Sequence, residues 1–183
     1  IGILKSDDKG KTWQNMGLHD SHHISRIILN PANPDEIVVG VVGHLYSKNE
    51  ERGVYKTTDG GKTWKKSLFI DNETGIIDVA VSPKNFNTQY AASWSKDRKA
   101  WDFKGSGATS GIYKSEDAGM TWKLYSTTES GFPVGEGVGR IGLAVYDDAT
   151  VYAVLDNQFK RPLPSQKSNS LPMAFSVPGD EFL

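Results

Sequence analysis

One eight-residue pattern occurs three times in this chain of 183 residues and constrains its fold more than any other feature. The copies occupy residues 6–13, 57–64 and 115–122, and each reads hydroxyl, any, Asp, any, Gly, any, Thr, Trp. The shared positions are Ser6, Asp8, Gly10, Thr12 and Trp13; then Thr57, Asp59, Gly61, Thr63 and Trp64; then Ser115, Asp117, Gly119, Thr121 and Trp122. Copies about 50 to 60 residues apart indicate a structural repeat larger than one hairpin, with room for about four short strands. The sequence therefore predicts an array of four-stranded units.

Each copy stands between two short apolar runs, which predicts that it forms the turn of a β-hairpin. In the second copy, Asp59 can accept hydrogen bonds from N–H groups of the turn. Gly61 can adopt a positive φ, because it has no Cβ atom to clash with the backbone. The ring of Trp64 is predicted to pack against the neighbouring sheet. We therefore interpret the pattern as a structural turn.

Two functional interpretations of the pattern have less support. Residues 61–63 read Gly-Lys-Thr, like the end of a phosphate-binding loop. That motif needs a glycine where this chain has Lys56, and no helical pattern follows Thr63. The spacing of Asp and Gly also suggests calcium, but an EF-hand loop needs alternating ligands and a distal Glu, which these copies lack.

These copies resemble the Asp-box, or BNR repeat, of β-propellers. The group includes sialidases, xyloglucan-cleaving glycosidases, sortilin-type receptors and similar bacterial proteins. Residues 52–69 are most similar to the sortilin-like bacterial branch, and the resemblance covers about residues 1–157. It implies a secreted, periplasmic or cell-surface protein. It does not imply a particular activity, because Asp-boxes occur in enzymes and in non-enzymes.

The predicted fold class is all-β: a β-propeller segment made of four-stranded antiparallel blades, whose strands we name A to D. Residues 1–16 are predicted to be strands C and D of a partial blade, and residues 17–69 and 70–125 to be full blades. Residues 126–157 are predicted to be strands A and B of a further partial blade, followed by an irregular, proline-rich linker or insertion over residues 158–183. Two full blades and two half-blades form an incomplete ring. The predicted partner is therefore the set of remaining blades, from the same polypeptide or from another chain.

Charge and hydropathy exclude some classes of partner. The chain has 21 Lys and Arg and 22 Asp and Glu, mixed along its length, for a net charge of −1. This balance argues against nucleic acid as the main partner. No apolar run approaches the roughly 20 residues that a membrane-spanning helix needs. No cofactor is predicted.

The predicted register places the candidate ligand-binding residues on the face opposite the Asp-boxes. In an antiparallel blade, the A–B and C–D turns lie at one end and the B–C and D–A loops at the other. The boxes are C–D turns, whereas the long loop of residues 95–110 joins strands B and C. Loops on a rigid scaffold are where binding residues concentrate. The candidate ligand-binding residues are Trp94, Arg98, Trp101, Asp102 and Glu136.

Two points about this face stay open in the sequence. Trp94 and Trp101 are either ligand-binding residues or local packing that holds the long loop in place. The D–A loop also contains His19, His22 and His23, which could offer two imidazoles to a metal. Ordinary metal sites add a third fixed ligand to such a pair. A solvated loop is therefore favoured, and no metal is predicted.

The function that the sequence favours is a non-catalytic, sortilin-like binding or scaffold propeller. Its ligand, a peptide, a protein or a polysaccharide, would be held by the B–C and D–A loops. The alternative is a segment of a propeller glycoside hydrolase, which needs two carboxylates about 5–9.5 Å apart. The carboxylates predicted on this face are Asp97, Asp102, Glu129 and Glu136. No pair among them is evident, so the catalytic residues stay unknown.

Overall fold

The computed structural model describes residues 2–160, which form a succession of antiparallel sheets. The predicted tail of residues 158–183 lies outside this range from residue 161 onward. A short 3-10 helix at Thr128–Ser130 precedes the last hairpin. The strands are β1 Leu4–Lys5, β2 Gln14–Asn15, β3 Ile24–Asn30, β4 Asn33–Val41, β5 Gly53–Thr57, β6 Lys65–Leu68, β7 Thr74–Ser82, β8 Asn85–Ser95, β9 Asp97–Arg98, β10 Phe103–Lys104, β11 Gly111–Ser115, β12 Lys123–Leu124, β13 Val138–Val145 and β14 Val151–Asn157.

The strand order confirms the predicted fold class for the described residues. Strands β3, β4, β5 and β6 form one four-stranded antiparallel sheet, and β7, β8, β11 and β12 form a second. The two-stranded sheets β1–β2 and β13–β14 precede and follow them in the chain. In the predicted nomenclature, β3 and β7 are A strands and β6 and β12 are D strands. The exact blade boundaries remain predictions.

Two details differ from the sequence-based expectation. The long B–C loop is not irregular throughout, because β9 and β10 pair within it as a small hairpin. The sequence also predicts A–B turns over residues 31–35 and 83–88, which are rich in proline and asparagine, but the observed turns are shorter. Strand β4 begins at Asn33 and β8 at Asn85, where the asparagine side chains accept hydrogen bonds from backbone N–H groups two residues later. These side chains support the first residues of the strands, so pairing starts inside the expected turns.

Each four-stranded sheet buries apolar side chains on both faces. Val39 and Val41 of β4 join one buried cluster with Ile3 and Leu18 from the preceding segment. Val38, the neighbour of Val39, joins the next cluster, which includes residues of β7 and β8. Successive strand side chains point to opposite faces, so adjacent valines serve two different sheet interfaces. Strand β8 is divided in the same way, with Ala91 in one cluster and its neighbours Tyr90 and Ala92 in the next. The two clusters are Val38, Val54, Ile76, Val79 and Ala91; and Tyr90, Ala92, Ile112, Val138 and Ile141.

Asp78 of β7 connects three sheets through its carboxylate. Its Oδ1 atom accepts from the Arg26 guanidinium of β3 at 3.1 Å. Its Oδ2 atom accepts from the backbone N–H of Leu143 in β13 at 2.9 Å. The residue is buried, so these bonds compensate the carboxylate for lost hydration. The A strands of three successive sheets are thus held side by side.

Two of the three repeated tryptophans link their hairpins to the preceding part of the chain. The indole N–H of Trp64 donates to the carbonyl of Met16 at 2.6 Å, and that of Trp122 donates to Ser67 Oγ at 3.1 Å. Trp13 donates to Gly10 within its own turn and is 60% exposed. Trp64 and Trp122 therefore act as contacts between sheets.

Replacing Trp122 with alanine is expected to destabilise the fold by about 2–3 kcal/mol, because it removes an inter-sheet aromatic contact and a hydrogen bond. The measurement is the free energy of unfolding in denaturant. Trp101→Ala is the matched control, since Trp101 is 84% exposed. Equal losses for the two variants would contradict a packing role for Trp122.

Candidate functional site

Hydrogen bonds within each Asp-box turn satisfy the polar groups of that turn. In the second copy, Thr57 Oγ1 accepts from the N–H groups of Asp59 and Gly61 at 3.2 and 3.1 Å. The Asp59 carboxylate accepts from the Thr63 N–H at 2.9 Å and from the Thr63 hydroxyl at 2.6 Å. The first and third copies repeat these bonds, and the glycine of each copy has a positive φ. The hydrogen-bonding capacity of the box is thus largely used within the turn.

The hydrogen bonds also shift the ionisation of the box carboxylates. The Thr12 hydroxyl and N–H lower the pKa of Asp8 to about 2. Burial opposes ionisation at Asp117, but hydrogen bonds from Thr121 and Ser115 prevail and lower its pKa to about 2. A carboxylate with this environment stays charged above pH 4 and acts as a fixed acceptor. This behaviour suits a structural turn better than proton transfer.

The boxes lie beside the A–B turns, at the opposite strand ends from the long B–C loop. Gly60 donates its N–H to the Asp35 carbonyl at 2.9 Å, and Ala118 donates to the Asn87 carbonyl at 3.1 Å. The hairpin formed by β9 and β10 instead follows the last residue of β8. The candidate site is therefore built from the loops at that other end.

The β9–β10 hairpin collects several of the candidate binding residues. Trp94 donates its indole N–H to the Gly105 carbonyl at 2.6 Å, and its ring meets that of Phe103 edge-on at 6.2 Å. Arg98 lies over the rings of Tyr46 and Phe103, 5.9 and 5.5 Å from their centroids. Trp94 thus contacts the hairpin, and Arg98 adds a cation to the same surface.

The other candidates differ in their contacts. Trp101 stands at the tip of the hairpin with its ring exposed. Asp102 accepts from the N–H of Phe103 at 2.9 Å. Glu136 pairs with Lys104 at 2.9 Å, so it lies beside the hairpin as well. Their role in ligand binding stays a prediction.

A cavity of about 270 Å³ opens next to the hairpin, and the sequence did not predict most of its lining. Its walls combine an aromatic ring, two cations and aliphatic side chains. The lining residues are His23, Ile24, Ser25, Val42, Leu45, Ile77, Trp94, Lys96 and Arg140. A larger groove of about 500 Å³ lies between β1 and β3, but its charged residue, Arg26, is already paired with Asp78. The smaller cavity therefore has the stronger case as a binding site.

Lys96 is the most perturbed charge in that cavity. It is buried, and its ammonium donates to the carbonyl of His44 at 2.8 Å. Burial, with the positive charges of Arg52 and Arg98, lowers the pKa of Lys96 to about 8. An anion entering the cavity would therefore meet a desolvated cation whose charge has little nearby compensation.

Buried Arg52 holds the loop that forms one wall of the cavity. Its Nη1 donates to the carbonyls of Val42 and Glu73 at 2.6 and 3.1 Å. Its Nη2 donates to the carbonyls of His44 and Ser47 at 3.0 and 2.9 Å. A single guanidinium thus binds four backbone carbonyls and orders the B–C loop that follows β4.

The histidines fall into a grouping that the sequence missed. Asp20 and His22 of the loop before β3 come together with His44 of the loop after β4. His23, by contrast, contacts the Gly43 carbonyl through Nδ1 at 3.0 Å. His44 was missed because it lies in another loop, and only the spatial adjacency of the two loops brings it to Asp20.

Comparisons with known proteins agree with this architecture. A family profile described as "BNR/Asp-box repeat" matches residues 55–66, which overlap the second copy of the pattern. Together with the sheets, this match agrees with a β-propeller segment that carries an Asp-box repeat. Within the residues that the structure describes, no helix has the length and apolar character of a membrane span.

Three known proteins are similar to parts of this chain. The chain is 32% identical over 80 residues to "Vacuolar protein sorting/targeting protein 10" of Kluyveromyces lactis, a match that covers 44% of this chain and 5% of that protein. An ancestral GH74 enzyme is similar in structure, with a TM-score of 0.56, 21% identity, and coverage of 83% of this chain and 18% of the enzyme. A GH74 enzyme of Niastella koreensis has a TM-score of 0.48 and 17% identity over 84% of this chain and 23% of the enzyme. The chain thus spans a small part of each relative.

Replacing Thr57 with valine is expected to destabilise the second hairpin by about 1–3 kcal/mol, because the N–H of Gly61 then loses its buried acceptor. Unfolding in denaturant measures the change. Thr58→Val is the control, since Thr58 is exposed in the same turn. If both variants cost the same, the hydroxyl does not support the turn.

Acid is expected to weaken the third hairpin as Asp117 becomes protonated. Because the folded-state pKa of about 2 lies below the ordinary value near 3.9, the contribution is complete above about pH 4 and is lost as the pH falls toward 2. The free energy of unfolding should therefore fall less steeply over this range in Asp117→Asn than in the wild type. Equal slopes in the wild type and in Asp117→Asn would contradict this role of the Asp117 carboxylate.

Proposed function

We propose that this chain is a segment of a non-catalytic binding propeller that holds its ligand on the face formed by the B–C and D–A loops. The cavity beside the β9–β10 hairpin is the observation that carries the proposal. Lys96 and Arg140 supply positive charge, Trp94 an aromatic face, and Val42 and Leu45 an apolar wall. Among the described residues, no carboxylate lines it.

The cavity favours a ligand that has an anionic group next to an apolar one. A buried ammonium binds an anion more strongly than an exposed one, because the surroundings are less polar than water. The Trp94 N–H is already bonded to Gly105, so the ring offers its apolar face to a ligand. An acidic peptide or protein segment with aliphatic side chains meets both requirements, and we propose this class of ligand.

The contacts of nearby carboxylates support a binding role over hydrolysis. Asp97 pairs with Lys99 at 2.9 Å, and Glu136 pairs with Lys104. Asp102 is bonded to its own hairpin. A glycosidase needs one protonated and one free carboxyl group across its substrate. Two of these three carboxylates instead pair with lysines at exposed positions.

The proposal extends to the assembly and its location. Exposed Trp13 at one end of the described arc, and exposed Tyr152 and Val154 at the other, support completion of the ring by further blades. These would come from the same polypeptide or from another chain. Resemblance to sortilin-type receptors supports a secreted, periplasmic or cell-surface location.

A labelled acidic peptide containing Glu and Leu is expected to bind the protein, whereas the same peptide with Gln in place of Glu should bind at least about tenfold more weakly, or by 1.4 kcal/mol. Fluorescence anisotropy measures both affinities. Affinity for the acidic peptide should also fall as the pH rises through about 8, because Lys96 loses its charge there.

Variants test whether the cavity is responsible. Arg140→Gln and Lys96→Met should each weaken binding of the acidic peptide about tenfold, and Lys99→Met, an exposed control on the hairpin, should leave it unchanged. Arg140 is itself exposed, so its replacement spares the fold. Equal affinity for the Glu and Gln peptides would contradict the proposed ligand class.

The glycoside hydrolase alternative makes an opposite prediction. Its support is the fold shared with the ancestral GH74 enzyme, and a shared fold is a weak guide to activity. Incubation of the protein with xyloglucan, followed by a reducing-end assay, measures hydrolysis directly. Release of reducing ends by the wild type would overturn the non-catalytic proposal.

A further inference from the structure

Asp20, His22 and His44 form a compact group of potential metal ligands at the loop end of the first four-stranded sheet. Their ligand atoms all lie within 4.8 Å of one another. His44 Nε2 is 2.8 Å from Asp20 Oδ1. The rings of His22 and His44 stack with centroids 3.7 Å apart. Two imidazoles and one carboxylate are thus concentrated at one point on the surface.

The surrounding polar groups orient these side chains as the outer shell of a metal site does. Ser47 Oγ lies 2.7 Å from His44 Nδ1, so the second ring nitrogen is engaged and Nε2 is directed to Asp20. Asn49 donates to Asp20 Oδ2 at 3.4 Å and to the Asp20 carbonyl at 2.8 Å. Its Oδ1 accepts from the His44 N–H at 3.0 Å. Such second-layer contacts fix ligand tautomer and direction in metal proteins.

The backbone around the group is also held in place. His22 has a φ of +50°, in the left-handed region that residues other than glycine rarely adopt. Buried Arg52 and Lys96 both donate to the His44 carbonyl. The two loops that carry the ligands are therefore held next to each other. Because a metal lies in the plane of each imidazole that binds it, the stacked rings of His22 and His44 turn away from parallel when both bind one ion.

We propose that Asp20, His22 and His44 bind a divalent transition-metal ion of the Zn²⁺ type. Imidazole and carboxylate are ligands that this class of ion prefers, and Ca²⁺ and Mg²⁺ prefer oxygen ligands alone. The ion takes the place of the proton that joins His44 Nε2 and Asp20 Oδ1. Three protein ligands leave a coordination position open to water or to a group from a bound molecule. The ion adds a positive charge to the face that carries Lys96 and Arg140.

The test is a titration of the tag-free protein with ZnCl₂ by isothermal calorimetry, and with CoCl₂ by visible absorption. We expect one ion per chain and a Co²⁺ band typical of a site with nitrogen and oxygen ligands. Asp20→Asn and His22→Gln, both at exposed positions, should weaken Zn²⁺ binding at least about tenfold. Ser47→Ala should weaken it about 10- to 100-fold, as second-layer changes do.

The matched control is His19→Gln, which replaces an exposed imidazole of the same loop outside the group. It should retain the wild-type affinity. Absence of saturable Zn²⁺ binding to the wild type would overturn the proposal. Loss of affinity in His19→Gln equal to that in His22→Gln would also overturn it, since it would show that the ion binds loop histidines without selection. Thermal unfolding of each variant in EDTA confirms that the comparison is made between folded proteins.

Discussion

Two-sided burial of each sheet is the constraint on which the rest of this structure depends. Val38 and Val39 are neighbours in one strand, yet one packs toward the sheet that follows and the other toward the segment that precedes. A strand with this pattern is stable only when both neighbours are present, because an apolar face left in water loses about 25 cal/mol for each Å² that stays exposed. Successive sheets must therefore stack face to face.

Polar contacts then set how the stacked sheets are aligned. Asp78 bonds to Arg26 on one side and to Leu143 on the other, so three inner strands share one carboxylate. Lys56, which is buried, bonds to Glu36 in its own sheet and to the Ala118 carbonyl in the next box. Groups of this kind are costly to bury unpaired, and their pairing excludes other registers of the stack. The loops are attached to the ends of these strands, so the alignment of the sheets also sets the positions of the loops. The cavity and the histidine group therefore have a defined geometry.

Local patterns predicted most of the fold. The Asp, Gly and Trp of residues 57–64 specify a turn through contacts within a few residues, so the turn could be inferred without any knowledge of the tertiary structure. Apolar residues also alternate along the segments that form β7 and β13, and this two-residue period predicts strands. The small hairpin of β9 and β10 was not predicted, because each of its strands is two residues long and carries no periodic signal. Trp94 and Arg98 were found as candidates because they are aromatic and charged residues at the start of the longest loop.

The sequence by itself determined the repeat, the order of the strands and the placement of the boxes at the ends away from the long loops. These follow from short-range hydrogen bonding and from the two-residue period of strands. Only the tertiary structure decided which side chains meet. Lys96 and Arg140 line one cavity because their sheets stack next to each other, and His44 lies beside Asp20 because two loops meet at one end of a sheet. Contacts between segments that are distant in the chain produce no periodic or local pattern in the sequence. The turn could thus be predicted from its residues, and the composition of the candidate site could not.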